Sequence, residues 1–343
     1  MISTLTRNSL LAYSERAKGH ASGANKKSHA KAASLLIAML DHAPTPDGRE
    51  EVAHAITACQ NDDQLYGLYD HYLKGLLIPM KAQGGRTPAV SDHPSRRSAE
   101  ITRENLASLI ESAKRDQQTL KDLCLKRDGA RCVISGIMDM RHALKHLQVY
   151  QPGDEYKYTE AAHIIPFGIN KTHSNQARAK SAEIITLFTG IDISEVNGND
   201  INRLENVMTL SLDEHKKFGG FDIWLEPLEG QQNAYKLGKA NPFASSLPAG
   251  TIIQFTDNQT QLPLPDPRYL ALHAACAKIA HASGAAETID AYLRDLETTK
   301  VLAEDGSSMA ILDAVSQALA TPAGNVAVSA PDATANAGPR SPR

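Results

Sequence analysis

The sequence predicts an α+β protein, with helices toward both ends and short strands between them. Apolar residues recur at helical spacing in Leu65, Leu68, Tyr69, Tyr72, Leu73 and Leu76, and again in Tyr269, Leu270, Leu272, Ala275, Cys276 and Ile279. Between these stretches the apolar runs are short and bounded by turn residues, as in Asn206 to Leu210 and Phe221 to Leu225. The composition is that of a globular chain, 42% hydrophobic and 22% charged over 343 residues, so a core can form without disulfides or a structural metal.

Residues 1 to about 30 are polar and rich in Ala, Ser and Lys, and are expected to be frayed. Ala30 to Leu40 reads as a helix that stops before Pro44 and Pro46. Gly48 to Cys59 and Leu65 to Ile78 follow as helices, the second ended by Pro79. Gln83 to Ser98 has the composition of a linker, with Gly84, Gly85, Pro88 and Pro94. A long helix is expected from Thr102 to Asp128, stopped by Gly129. Arg131 to Gly136 reads as a strand into a turn, and Tyr156 to Pro166 as a strand that turns at the proline. Ala177 to Phe188 is helical, Asn197 to Asp200 a turn, Asn206 to Leu210 extended, and Asp213 to Phe218 the start of a helix broken by Gly219 and Gly220. Phe221 to Leu225, Tyr235 to Leu237 and Thr251 to Phe255 are strand candidates. Asp266 and Pro267 open a helix to Ser283, and Thr288 to Leu296 forms a last one. The chain thus divides into a helical N-terminal region with its linker (1–98), a central unit with flanking helices (99–300) and a largely disordered tail (301–343).

The formal net charge is −3, so no global basic signature of nucleic-acid binding exists, although charge can be local. Cys59, Cys124, Cys132 and Cys276 are scattered, without a Cys-x-x-Cys pair, which argues against a disulfide framework or a four-cysteine zinc site. A reducing intracellular compartment, cytoplasm or nucleus, is expected. The first residues lack a signal-peptide run, and the apolar stretch Ala32 to Leu40 is too short to span a bilayer, so no membrane association is expected.

Three pieces of the chain carry chemistry. They are Glu160-Ala-Ala-His163-Ile-Ile-Pro166, then Asn206, then His215. Cys132-Val-Ile-Ser-Gly136 lies upstream, and Phe218-Gly-Gly-Phe-Asp222 follows. Phosphodiester hydrolysis needs a base to activate water and a cation to offset charge on phosphorus, and a neutral histidine suits the first task. In this order and spacing the pieces resemble the HNH nuclease family, over roughly Asp122 to Pro227. The likeness is greatest to HNH domains of uncharacterised fungal proteins. It implies a ββα-metal (HNH/His-Me finger) core and a metal-dependent endonuclease acting on nucleic acid, with DNA the expected substrate and Mg²⁺, Mn²⁺ or Zn²⁺ the cofactor. It places the general base at His163, the motif's central amide at Asn206, and a metal ligand at His215. Asn206 can orient the site or bind metal through its oxygen. Arg203, Lys216 and Lys217 flank the motif and are the phosphate-contact candidates.

The chain departs from the family at Ala162, where many members carry Asp or His as a metal ligand. Glu160 is the nearest replacement. In a strand it faces away from His163, so a bend or bulge is expected if the two share a site. The gap from His163 to Asn206 holds an inserted helix, and Ser135 replaces a zinc-knuckle cysteine, so no structural zinc is inferred. Several residues have plainer readings: His142 and His146 a solvated face, the basic residues from Lys114 to Arg131 a solvated helix face, and Trp224 a core residue against the site helix. The alternative function is a catalytically degenerate HNH fold that binds nucleic acid or protein without cutting, motivated by Ala162 and the net charge of −3. The sequence assigns no oligomeric state.

Overall fold

The N-terminal third is a set of helices whose apolar faces meet. The computed structural model describes residues 4–20, 24–81, 106–149, 151, 153–166, 175–196 and 198–299. Helix α1 (Thr4–His20) packs along α2 (Ala24–Asp41), so residues 4–20 and 24–30 are helical rather than frayed. Few apolar positions achieve this: Leu10 and Tyr13, one turn apart, are fully buried against Leu35, Leu36 and Met39 of α2. Thr45 caps α3 (Pro46–Ala58) by accepting from the Gly48 N–H, with Pro46 in the first turn. Gly48 lies against the Phe188 carbonyl, where a side-chain carbon would collide with backbone. Helix α4 (Asp62–Tyr72) is capped by Asn61 and does not end at Pro79. A π turn at Leu73–Leu77 carries it into α5 (Ile78–Lys81), the widened turn preceding a proline that would otherwise clash with it.

The expected linker lies outside the described residues, as does the tail from residue 300. The single long helix expected next is two: α6 (Leu106–Ala113) and α7 (Gln117–Arg127). Asp116 separates them because its carboxylate accepts from both the N–H and the hydroxyl of Thr119, a local cap that competes with helix continuation. Arg131–Gly136 is a tight turn rather than a strand, closed by Cys132 N–H to Ile137 O and Gly136 N–H to Cys132 O. Then come β1 (Met138–Asp139), α8 (Met140–Lys145), β2 (Tyr156–Lys157, parallel to β1) and β3 (Thr159–His163). Helix α9 (Asn175–Thr189) and short 3₁₀ turns lead to β4 (Val207–Ser211) and α10 (Leu212–Gly219).

The C-terminal part forms an antiparallel sheet in the order β5 (Ile223–Pro227), β6 (Ala234–Lys239), β7 (Ile252–Gln254), followed by α11 (Pro267–Ala282) and α12 (Ala285–Thr299). Trp224 is buried, lies over Gly238, its cross-strand partner, and sits beside His281 of α11. No described helix is long and apolar enough to cross a membrane.

One apolar cluster runs from Leu10 through α2 and α4 to Ala162, Phe218 and the α11 stripe. A smaller one joins Leu120, Leu123 and Cys124 of α7 to Ala161 and Val207. Strand β3 therefore has an apolar neighbour on each face, which fixes its register and the directions of Glu160 and His163.

Candidate functional site

The site is built on β3, β4 and α10. Strands β3 and β4 pair antiparallel without interruption, Thr159 opposite Ser211 through His163 opposite Val207. Ser211 ends β4 and caps α10, accepting from the Glu214 N–H, while its hydroxyl bonds the Glu214 carboxylate. This Ser-x-x-Glu box converts strand to helix with no loop, so His215 projects from the first turn of α10 back toward β3. The exposed edge of β4 is covered: Val133 N–H donates to Thr209 O, and Thr209 N–H donates to Asp128.

Glu160 and His215 meet, with Glu160 Oε2 2.7 Å from His215 Nδ1. No bend or bulge is involved. Glu160 shares its strand face with Ala162, the position where the family carries its ligand, and α10 packs on that face through Phe218. Strand alternation places Glu160 on the face opposite His163. The His215 hydrogen bond holds the Glu160 carboxyl below its usual range against the opposing effect of burial; Lys121 and Arg141 add to the lowering. Both cations neighbour the pair, and neither was singled out from the sequence. Lys121 donates to Thr159 O at 2.9 Å, and Arg141 lies over the exposed Tyr158 ring. Burial lowers the Lys121 ammonium pKa, opposed by Asp139.

His163 occupies the other face, half-buried, its Nε2 2.9 Å from Asn202 Oδ1. Burial pulls its pKa down to about 4, Asn202 opposes this, and nearby His215 lowers it further. At neutral pH the imidazole is uncharged, as a general base requires.

Asn206 does not join either set. It is fully buried, and its amide is engaged with backbone: Oδ1 accepts from Ile165 N–H at 2.8 Å, and Nδ2 donates to Ile165 O and Ile201 O, both at 3.0 Å. Its own carbonyl accepts from Ile164 N–H. Asn206 clamps the chain leaving His163, so the expectation that its oxygen binds metal is corrected to a positioning role. Arg203 is likewise engaged elsewhere. It donates to Glu195 O at 3.0 Å and Glu205 Oε1 at 3.2 Å, bracing the 3₁₀ turns before β4 rather than presenting its guanidinium to phosphate. Lys216 is exposed and Lys217 half-buried on α10, beside His215.

Arg127, read as part of a solvated face, is fully buried. It donates to both oxygens of Asp128 and to the carbonyls of Leu204, Val207 and Pro263, using every donor of its guanidinium. This pair pins α7 to both ends of the turn that carries Asn206. Helix periodicity gave no sign of it, because a buried arginine and a solvated one have the same spacing. The His142 ring of α8 and the ring of its C-cap His146 lie tilted to each other with centroids 4.6 Å apart, and His146 is exposed. No group of three or more His, Cys, Asp or Glu side chains suited to a metal occurs among the described residues.

Residues 132–226 match the family model described as HNH endonuclease. This segment is an HNH nuclease domain. It begins at the Cys132 turn, contains β3, β4 and α10, and ends within β5. The match extends to the family and to no particular group of organisms, so the fungal likeness gains no support from it. No curated protein and no solved structure matches the chain.

Proposed function

We propose that the HNH domain is a metal-dependent endonuclease that hydrolyses phosphodiester bonds in nucleic acid, with DNA the expected substrate, through a ββα-metal core made of β3, β4 and α10. The observation that carries this reading is the carboxylate–imidazole pair of Glu160 and His215 with a neutral imidazole, His163, near enough to feel the charge of His215. The donor set fits a hard divalent cation. One carboxylate oxygen and one ring nitrogen leave most positions to water and phosphate, as Mg²⁺ or Mn²⁺ accepts, whereas a closed zinc site needs four protein ligands. Held by Glu160 and His215, the cation would offset charge on the phosphoryl oxygens and on the leaving 3′ oxygen.

The chain's own residues supply the remainder. His163 accepts a proton from water as the oxygen attacks phosphorus in line, and the P–O3′ bond breaks. Asn206 holds the backbone after His163 so that the ring keeps its direction. Lys121, Arg141, Lys216 and Lys217 place positive charge about the pair, where phosphates approach, despite the overall charge of −3. The alternative, a non-cutting HNH module, draws on Ala162, which removes a donor from the family position.

A metal-titrated cleavage assay on single-stranded DNA, duplex DNA and RNA separates the two. Wild-type protein should cut with Mg²⁺ or Mn²⁺, and His163→Ala should lose about 10²–10⁴-fold in rate while its melting curve stays cooperative. Equal cleavage by His163→Ala would sink the assignment of the base. No cleavage by wild type under any metal would favour the binding module.

A further inference from the structure

The amide network behind His163 fixes which of its ring nitrogens carries the proton. Asn202 is buried, and its two amide ends are distinguishable by their partners. Its Nδ2 lies 3.0 Å from the Lys114 carbonyl oxygen, which can only accept, so the NH₂ group must be at that end. Oδ1 is then the atom facing His163 Nε2 at 2.9 Å. Gln117 Nε2 donates to the same Oδ1 at 3.0 Å, filling its other lone pair. Turning the Gln117 amide over would set two oxygens against each other, so this orientation stands even though it leaves Gln117 Oε1 buried with no hydrogen-bond partner among the described residues. A buried orphan acceptor is retained here in exchange for a donor aimed at Asn202.

We infer that Asn202, aligned by Gln117 and the Lys114 carbonyl, is a positioning residue that holds His163 with its proton on Nε2 and so makes Nδ1 the nitrogen that takes the proton from water. An amide oxygen cannot donate, so a ring nitrogen bonded to it must bear hydrogen, and in the neutral ring the other nitrogen is then the base. The parts come from the α6–α7 junction and from the 3₁₀ turn ahead of Asn206, so the break at Asp116 places Lys114 and Gln117 on either side of the Asn202 amide. Lys114 is itself anchored to Asp200 at 2.8 Å and Glu111 at 3.1 Å, which ties the junction to the turn.

The inference rests on His163 acting as the base, and its test reads the ring separately from activity. Protein labelled with ¹⁵N at histidine ring nitrogens, with His163→Ala used for assignment, should show His163 as a single Nε2–H tautomer at pH 7. Asn202→Leu should give a mixture of tautomers and a kcat about 10–100-fold lower with KM unchanged, the usual scale for losing a group that orients a catalytic imidazole. An Nδ1–H ring in wild type overturns the inference even if Asn202→Leu fails to fold. An unchanged ring and unchanged kcat in folded Asn202→Leu overturn it as well. A wild type that shows the Nε2–H ring but cuts nothing keeps the tautomer assignment and removes the nuclease reading.

Discussion

Two ion pairs in this domain share one N···O distance, 2.7 Å, and little else. Arg127 and Asp128 are 0% and 3% exposed, whereas His215 and Glu160 are 28% and 41% exposed. In the first pair every guanidinium donor and both carboxylate oxygens have protein partners. The second is open to water on a face lined by Lys121 and Arg141. A saturated buried pair has nothing left to offer a ligand and can serve only the fold. An open pair contributes little to the fold and keeps its lone pairs accessible to one. Burial and saturation, rather than distance, separate the structural pair from the candidate site.

The largest expected effect follows on the buried side. Arg127→Ala leaves Asp128 charged without its main partner and removes a donor from the carbonyls of Leu204, Val207 and Pro263, of which Leu204 keeps the Val207 N–H. It should cost about 3–5 kcal/mol in chemical denaturation, and the turn carrying Asn206 should lose hydrogen-exchange protection first. A loss below about 1 kcal/mol would mean that the pair is no more structural than the open one.

The same contrast explains what the sequence disclosed. The α2, α3, α4 and α11 helices and the β5–β6 hairpin were legible because apolar spacing and capping residues agree there. The order of His163, Asn206 and His215 pointed to the domain, and Glu160 was legible as a candidate on the strand face opposite His163, where the uninterrupted β3–β4 pairing places it. Arg127, Asn202 and Gln117 were invisible because their roles depend on polar partners up to 136 residues away in the chain, which no local period encodes. The break at Asp116 was missed because apolar periodicity runs across it, and only the side-chain cap stops the helix.

Imidazoles repeat the comparison with a smaller effect. His273 is 1% exposed, stacked on Phe218 with ring centroids 3.6 Å apart, and its Nε2 donates to Phe218 O at 3.0 Å. Its Nδ1 is buried with no hydrogen-bond partner among the described residues, so charging the ring means placing a proton in a dry contact. Burial pulls its pKa down to about 3, and that of His163 to about 4. A depressed folded-state histidine leaves the unfolded chain binding more protons, so stability is complete above the ordinary value of 6.5 and falls as pH drops toward these values. Melts between pH 7 and pH 4 should show a loss of roughly a few kcal/mol. His273→Leu should begin less stable at pH 7 and lose less on acidification. Equal slopes for the two proteins would remove His273 from the account.

The smallest expected change in stability belongs to the open pair, and it is the most informative. The depressed Glu160 carboxyl stabilises the fold above the ordinary carboxylate range and loses that contribution as pH falls through its folded value, but water screens a pair this exposed. Glu160→Ala should therefore shift unfolding by less than about 1 kcal/mol. Calorimetry with Mn²⁺ should nevertheless show affinity reduced by at least about tenfold, since one of the two protein donors is gone. Arg127→Ala should show the reverse pattern: a large loss of stability and, at temperatures where it stays folded, near-normal Mn²⁺ affinity. If Glu160→Ala instead destabilised the protein strongly and left Mn²⁺ binding unchanged, the pair would be a second structural bridge. His215 would then hold α10 against β3 rather than a cation against a phosphate.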